Sequence, residues 1–275
     1  MSETDGEVDW GNASILDRGG SLLHYWTVGP EDAPVVVLTH GATMDHHLFD
    51  EQLEPLLKAG YRVLGWDMRG HGVSKPIGVG FSLSTVVDDL VAILDEIDVR
   101  TVTAVGQSLG GYVAQELLFR YPERVDALVI IGATDVTRIP PRLENLALKL
   151  SPYLFTVWPY RHLKKTIAEN TAETERAKRY AYRAASQLSK KEFVTVWKAV
   201  SGALHSEPGY TIQRPFLLTH GDNDRTGTVA RDAPLWAEKE PNCRYEVIPD
   251  AGHNANDDNP QYFNEEMLDF LGTVQ

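Results

Sequence analysis

Ser108 stands in Gly106-Gln107-Ser108-Leu109-Gly110, between an apolar run at residues 101–105 and a helix-like stretch at 111–121. A serine hydroxyl is a poor nucleophile at neutral pH. It needs a base within hydrogen-bond reach, and the base needs a third group to fix its tautomer. A reversal from strand to helix presses the serine into a sharp turn, and glycines at 106 and 110 let the two elements close on each other. The helix N-terminus behind it adds partial positive charge where an oxyanion would form. His253, in Ala251-Gly252-His253-Asn254, is the candidate base. Asp224, in Gly221-Asp222-Asn223-Asp224, is the candidate partner of that imidazole, with Asp222 and Asp135 as alternatives. Arg225 is placed to hold the Asp224 carboxylate by an ion pair. The backbone N–H groups of Ala42, in His40-Gly41-Ala42-Thr43, and of Leu109 are the expected oxyanion donors. His40 itself reads as a structural, hydrogen-bonded histidine.

Such side chains must be carried by the ends of strands. Residues 14–18 and 22–28 read as a hairpin about Gly19-Gly20, and residues 34–40 form a continuous apolar run suited to a strand covered on both faces. Further strands are expected at 61–67, 101–107 and 125–132. Helical patterns lie at 48–57, at 86–97 with Ser84 as N-cap, and at 112–121. Between 136 and 212 the β-signal stops. Four helices are expected there, near 142–150, 160–170, 173–188 and 190–204, rich in aromatic residues. Strands then resume at 215–220 and 244–248, around a helix at 229–238. A last helix opens with Asn259 as cap and Pro260 at its first position. The pattern predicts a mostly parallel sheet with helices on both faces and a helical insertion after the sixth strand. Residues 1–135 and 213–275 form the core domain, and 136–212 a cap. Ligands of such sheets sit at the carboxyl ends of the strands.

Composition narrows the function classes. The net charge of −13 over 275 residues argues against nucleic acid as a partner. No run approaches the ~20 apolar residues of a spanning helix. Residues 1–12 are acidic and lack the apolar core of a secretory signal, and one cysteine, Cys243, allows no intrachain disulfide. A cytoplasmic protein with no membrane partner, monomeric or homodimeric, is expected. The charge is uneven: residues 136–212 hold 13 Lys and Arg against 6 Asp and Glu. This segment is either helical with solvated basic faces or a basic cap that draws anionic substrates inward. There is no phosphate-binding glycine loop, dinucleotide fingerprint or zinc-type spacing, so neither cofactor nor metal is expected. His40, Asp45, His46 and His47 are set aside as metal ligands because adjacent histidines usually diverge.

Taken together, His40-Gly41-Ala42, Asp67-Met68-Arg69-Gly70-His71-Gly72, Gly106-Gln107-Ser108-Leu109-Gly110, Gly221-Asp222-Asn223-Asp224 and Gly252-His253 resemble the α/β-hydrolase superfamily, in its cap-bearing, esterase-like branch. The resemblance implies an α/β-hydrolase fold with an eight-stranded sheet, a Ser108–His253–Asp224 triad and a structural role for the His71 turn. Haloalkane dehalogenases and epoxide hydrolases carry aspartate where this chain has Ser108. Ala42-Thr43-Met44 departs from the glycine-richer loops of carbon–carbon bond hydrolases and proline iminopeptidases. The resemblance therefore implies a carboxylic-ester hydrolase acting on a small-molecule ester. Lactone hydrolysis, cofactor-free perhydrolysis, amide or carbon–carbon cleavage with the same triad, and a non-catalytic ligand-binding protein remain alternatives. The cap aromatics either line an apolar pocket or pack a small core of the cap itself.

Overall fold

The structure, a computed structural model, describes residues 8–274. Its central strands owe their unbroken Val, Leu and Ile runs to burial on both faces. These are β3 (Val35–Thr39), β4 (Arg62–Trp66), β5 (Val102–Gln107), β6 (Val125–Ile131) and β7 (Phe216–Gly221). The edge strand β1 (Ser14–Arg18) is mostly exposed, and its hairpin partner is β2 (Ser21–Val28). With β8 (Cys243–Ile248) they form one eight-stranded sheet in the order β1-β2-β4-β3-β5-β6-β7-β8. The β1/β2 and β2/β4 pairs are antiparallel and all others parallel. All five later connections therefore deliver their loops to the same end of the sheet.

Helices cover both faces. Against one face pack α2 (Leu83–Glu96), α3 (Leu109–Arg120) and α8 (Val229–Ala237), through Val86, Leu90, Val113, Leu117 and Trp236. Against the other pack α1 (Asp50–Lys58) and α10 (Pro260–Val274), through Leu53, Leu56, Phe263, Met267 and Phe270. The short helix α9 (Ala255–Asp258) precedes α10, and Asn259 Oδ1 accepts from the Tyr262 N–H as the capping pattern predicts. The Arg69 turn is a structural brace: its guanidinium grips the buried Asp89 carboxylate of α2 through two 2.6 Å hydrogen bonds.

Four helices lie between β6 and β7: α4 (Arg142–Val157), α5 (Tyr160–Thr171), α6 (Glu175–Ser186) and α7 (Lys190–Gly202). They form the cap. Phe155, Tyr160, Phe193 and Trp197 contact one another, so these aromatics build the cap's own core. Tyr180 instead reaches down to Asp45, its hydroxyl 2.9 Å from Oδ1, and Gln187 donates to Asp45 Oδ2 at 2.8 Å. From the other side the Asp258 carboxylate accepts from the N–H groups of Glu173 and Thr174. The cap is thereby fastened to the core by partly buried polar bonds.

Three boundaries differ from the sequence reading. Helix α2 is capped by Ser82, whose side chain accepts from the Thr85 N–H, rather than by Ser84. The earlier cap draws Leu83 into the buried face. The helix expected at 48–57 is split into a 3-10 turn, His46–Phe49, and α1, because Asp45 caps the turn by accepting from the His47 N–H. Helix α4 continues past residue 150 through Pro152. Proline removes the N–H that would pair with the Leu148 carbonyl, and Ser151 Oγ donates to that oxygen at 2.7 Å instead.

A methyl group added at Gly106 would lie 2.1 Å from the Gly110 carbonyl oxygen and 2.6 Å from the Gly111 nitrogen, both rigid backbone of α3. Gly106→Ala should lower the unfolding free energy by about 1–3 kcal/mol or more, read as a lower urea midpoint. Gly202→Ala, which meets open space at the end of α7, should leave it unchanged or slightly raised.

Candidate active site

Ser108 follows β5 directly and adopts φ 52° and ψ −113°, a conformation an L-residue rarely holds. Such strain costs on the order of 1–3 kcal/mol and persists only where surroundings enforce it. The Ser108 N–H is pinned to the Ile131 carbonyl of β6 at 2.8 Å, and its own carbonyl accepts from the Tyr112 N–H to start α3. A Cβ at Gly110 would stand 2.0 Å from the Thr39 carbonyl oxygen, so the helix closes on β3 as tightly as on β5. The serine side chain is left half-exposed at the sheet end.

His253 lies in the loop after β8 and is buried. Its Nδ1 faces Asp224 Oδ2 at 2.9 Å. With Nδ1 donating to that carboxylate, Nε2 is the nitrogen able to accept a proton. Asp224 is positioned by bonds between the loops after β7 and β8: the Asp222 N–H donates to the Ile248 carbonyl, and the Asn223 N–H to the Ala251 carbonyl. Burial alone would raise the Asp224 carboxyl, but the His253 charge and hydrogen bond outweigh it and hold it below its ordinary range. The His253 ring packs over Gly132, where a Cβ would lie 3.0 Å from Nδ1. Gly132 follows the very residue that anchors the Ser108 N–H, which brings ring and elbow to one rim. The Ser108 side chain makes no hydrogen bond among the described residues.

The alternative acids are engaged elsewhere. Asp222 is exposed and accepts from the Ala251 N–H, while Asp135 Oδ1 accepts from the N–H and hydroxyl of Thr137. The expected Arg225 ion pair does not form among the described residues: Arg225 points to solvent, and the Thr226 N–H takes the second Asp224 oxygen at 2.8 Å. Ala42 opens the loop after β3, with Thr43 at φ 69°. Neither the Ala42 nor the Leu109 N–H has a partner among the described residues. His40 is structural, as its sequence setting predicts. Its Nδ1 bonds the Gly41 carbonyl at 2.8 Å, its Nε2 accepts from the Met68 N–H, and burial lowers its pKa.

His46 and His47 do not diverge as expected. Their ring centroids are 4.0 Å apart, since both sit on the 3-10 turn, yet each serves its own carboxylate. His46 stacks on Trp26 and meets Asp67 Oδ1 at 2.9 Å, and His47 meets Asp50 at 3.1 Å. Among the described residues no three His, Cys, Asp or Glu side chains cluster as a metal site.

Sequence reasoning missed two positioning groups. Gln107 is fully buried, and its Nε2 donates to the His253 carbonyl at 3.1 Å and to Asn254 Oδ1 at 3.2 Å. Its Oε1 fills the space a Cβ at Gly41 would need. One amide thus touches the elbow, the histidine loop and the Gly41 loop. The available signal was a polar residue closing an apolar strand. Asp258 accepts from the Gly252 N–H at 2.9 Å while also holding the cap, a link no local pattern encodes.

A family model described as alpha/beta hydrolase fold matches residues 34–260. The chain belongs to that family. This alpha/beta hydrolase is 25% identical over 279 residues to a non-heme chloroperoxidase of Streptomyces lividans, covering 94% of this chain and 99% of the relative. It is 23% identical to a bifunctional esterase/perhydrolase of Acinetobacter calcoaceticus, covering 94% and 98%. A solved hydrolase structure from Pseudomonas aeruginosa superposes with a TM-score of 0.82 at 25% identity, covering 96% of this chain and all of the other.

In this alpha/beta hydrolase the loop after β3 also rests on Asp67. Burial would raise its carboxyl, but the His46 bond and charge, with the Val73 N–H, pull it down to about 2 from an ordinary 3.8. Ionised Asp67 therefore stabilises the fold fully above 3.8, and that contribution is lost as the pH falls through about 2. Asp67→Asn should cost roughly 1.5–3 kcal/mol at neutral pH. Chemical denaturation over a pH series should show the gap to the parent closing across that acid window.

Proposed function

We propose that this protein hydrolyses carboxylic esters through an acyl-enzyme formed on Ser108. The observation that carries the reading is the 2.9 Å His253–Asp224 bond beside a strained serine at the same sheet end. Ser108 Oγ attacks the ester carbonyl as His253 Nε2 takes its proton. The developing oxyanion is held by the unpartnered Ala42 and Leu109 N–H groups. His253 then protonates the departing alcohol. It next removes a proton from water, which attacks the acyl carbon and frees Ser108. Asp224 holds the imidazole in the Nδ1–H tautomer throughout and stabilises its charged form.

The chemistry permits a second use of the same acyl-enzyme, attack by hydrogen peroxide to give a peracid. Similarity to a chloroperoxidase and to a bifunctional esterase/perhydrolase favours keeping it beside hydrolysis. Drawing anionic substrates inward is less supported. A cleft of 740 Å³ lined by Arg161, Lys165 and Lys178 opens on the cap, and neither Ser108 nor His253 is in its lining.

Ser108→Ala and Asp224→Asn should each lower turnover of p-nitrophenyl esters by on the order of 10⁴-fold. Ser108→Ala should also abolish labelling by a fluorophosphonate. Full activity in Ser108→Ala would overturn the reading.

Gln107→Leu removes both donors to the histidine loop while keeping the bulk. It should lower kcat by up to about 10²-fold with little change in KM. Unchanged kcat in a folded variant would remove the positioning role.

A further inference from the structure

Helix α4 turns its apolar face outward. At 100° per residue, Leu143, Leu146, Leu150, Tyr153, Leu154 and Val157 share one stripe. All six are between 49% and 82% exposed. The opposite arc faces the cap, where Ser151 accepts from Trp197 Nε1 at 2.7 Å and Phe155 meets the Trp197 ring. Ser151 and Pro152 thus share the inner arc with Leu148 and Phe155, while six further apolar residues point out, more than a helix that belongs only to its own domain exposes. Exposed apolar area of this continuity marks a surface that meets something.

Charge identifies what that is. Arg142 and Lys149 lie along one border of the stripe, and Lys198 Nζ stands 5.7 Å from the Tyr153 ring centroid at the same border. The acidic residue of α4, Glu144, is already bound by Arg231 at 2.9 Å. Residues 136–212 carry 13 basic against 6 acidic residues, whereas the rest of the chain is strongly acidic. A second copy docked cap to cap would set two basic faces together. An anionic surface would match the rim and repel the acidic body, which fixes the orientation.

We propose that α4 docks this protein on an anionic lipid surface. The helix, about 24 Å long, lies in the plane of the interface. Its leucines enter the boundary between headgroups and acyl chains, and the basic rim meets the phosphates. Among the described residues no helix is long and apolar enough to cross a membrane, so the contact is peripheral. The absence of a spanning run says nothing of such a face, which shows only once the helix's inner side is known. The inference is independent of the chemistry at Ser108.

Flotation of the full chain with vesicles tests it. Vesicles of phosphatidylcholine mixed with phosphatidylglycerol should bind roughly 10-fold or more better than phosphatidylcholine alone, and added salt should narrow the difference. Combined Leu146→Glu, Leu150→Glu and Val157→Glu should reduce binding by more than about 10-fold, with circular dichroism and melting unchanged because all three sites are exposed. Lys149→Glu, the milder second variant, should weaken binding to the anionic vesicles only. Absence of binding, equal binding to both vesicles, or full binding by the triple variant would overturn the proposal. So would a dimer, seen by light scattering, that the triple variant dissociates.

Discussion

At φ 52° and ψ −113° the Ser108 backbone would relax if left to itself. It stays because β3, β5, β6 and α3 converge on it at backbone-to-backbone distance. The Ile131 carbonyl holds its N–H, and Gly106 and Gly110 leave no room for any larger neighbour. This tight crossing decides most of what happens at the rim. It sets the serine side chain free of the strand and points the Leu109 N–H away from intrahelical pairing. It also places Gln107, one residue earlier, where a single amide reaches both adjoining loops.

The loops that supply the other groups are rigid for a different reason. They carry buried charges, and a buried charge must be paired. Asp67 draws three donors from the turn after β3 and the turn after β4, and Asp258 draws three from the histidine loop and the cap. Asp45 ties that same turn to α6. Each of these carboxylates ties its own segment to one or two others, so the cap, the histidine loop and the loop after β3 cannot move independently. Asp257 shows the cost of such a node. Burial pushes its carboxyl up to about 7, even though Arg176 lies 2.8 Å away and opposes the shift.

Two structural tasks account for most of the cap's residues. Aromatics of α4, α5 and α7 hold its interior together, Tyr180 and Gln187 hold it to the core, and the outer leucines of α4 serve neither purpose. Membership of a widely used fold does not choose among its chemistries. The proposed acyl transfer therefore rests on the groups gathered around Ser108, not on the fold.

How much of this was legible in the chain follows from range. Strand positions, the insertion after β6 and the order Ser108, Asp224, His253 could all be read, because apolar runs and turn residues are local signals. The Asn259-Pro260 helix start could be read for the same reason. Strand order favoured Asp224 as the partner of His253 but left Asp222 open, since both are turn aspartates. Only the bonds between the loops after β7 and β8 turn one inward and the other to solvent. Arg225 was misjudged because chain adjacency says nothing of direction, and the helix expected near 142–150 runs on to Val157 because a neighbouring hydroxyl satisfies the carbonyl that Pro152 abandons. The sequence by itself determined which residues could do chemistry and which segments would carry them. The tertiary structure decided which carboxylate meets the imidazole, what Gln107 and Asp258 hold in place, and which side of α4 faces water. Those depend on contacts between residues far apart in the chain, and no local pattern encodes them.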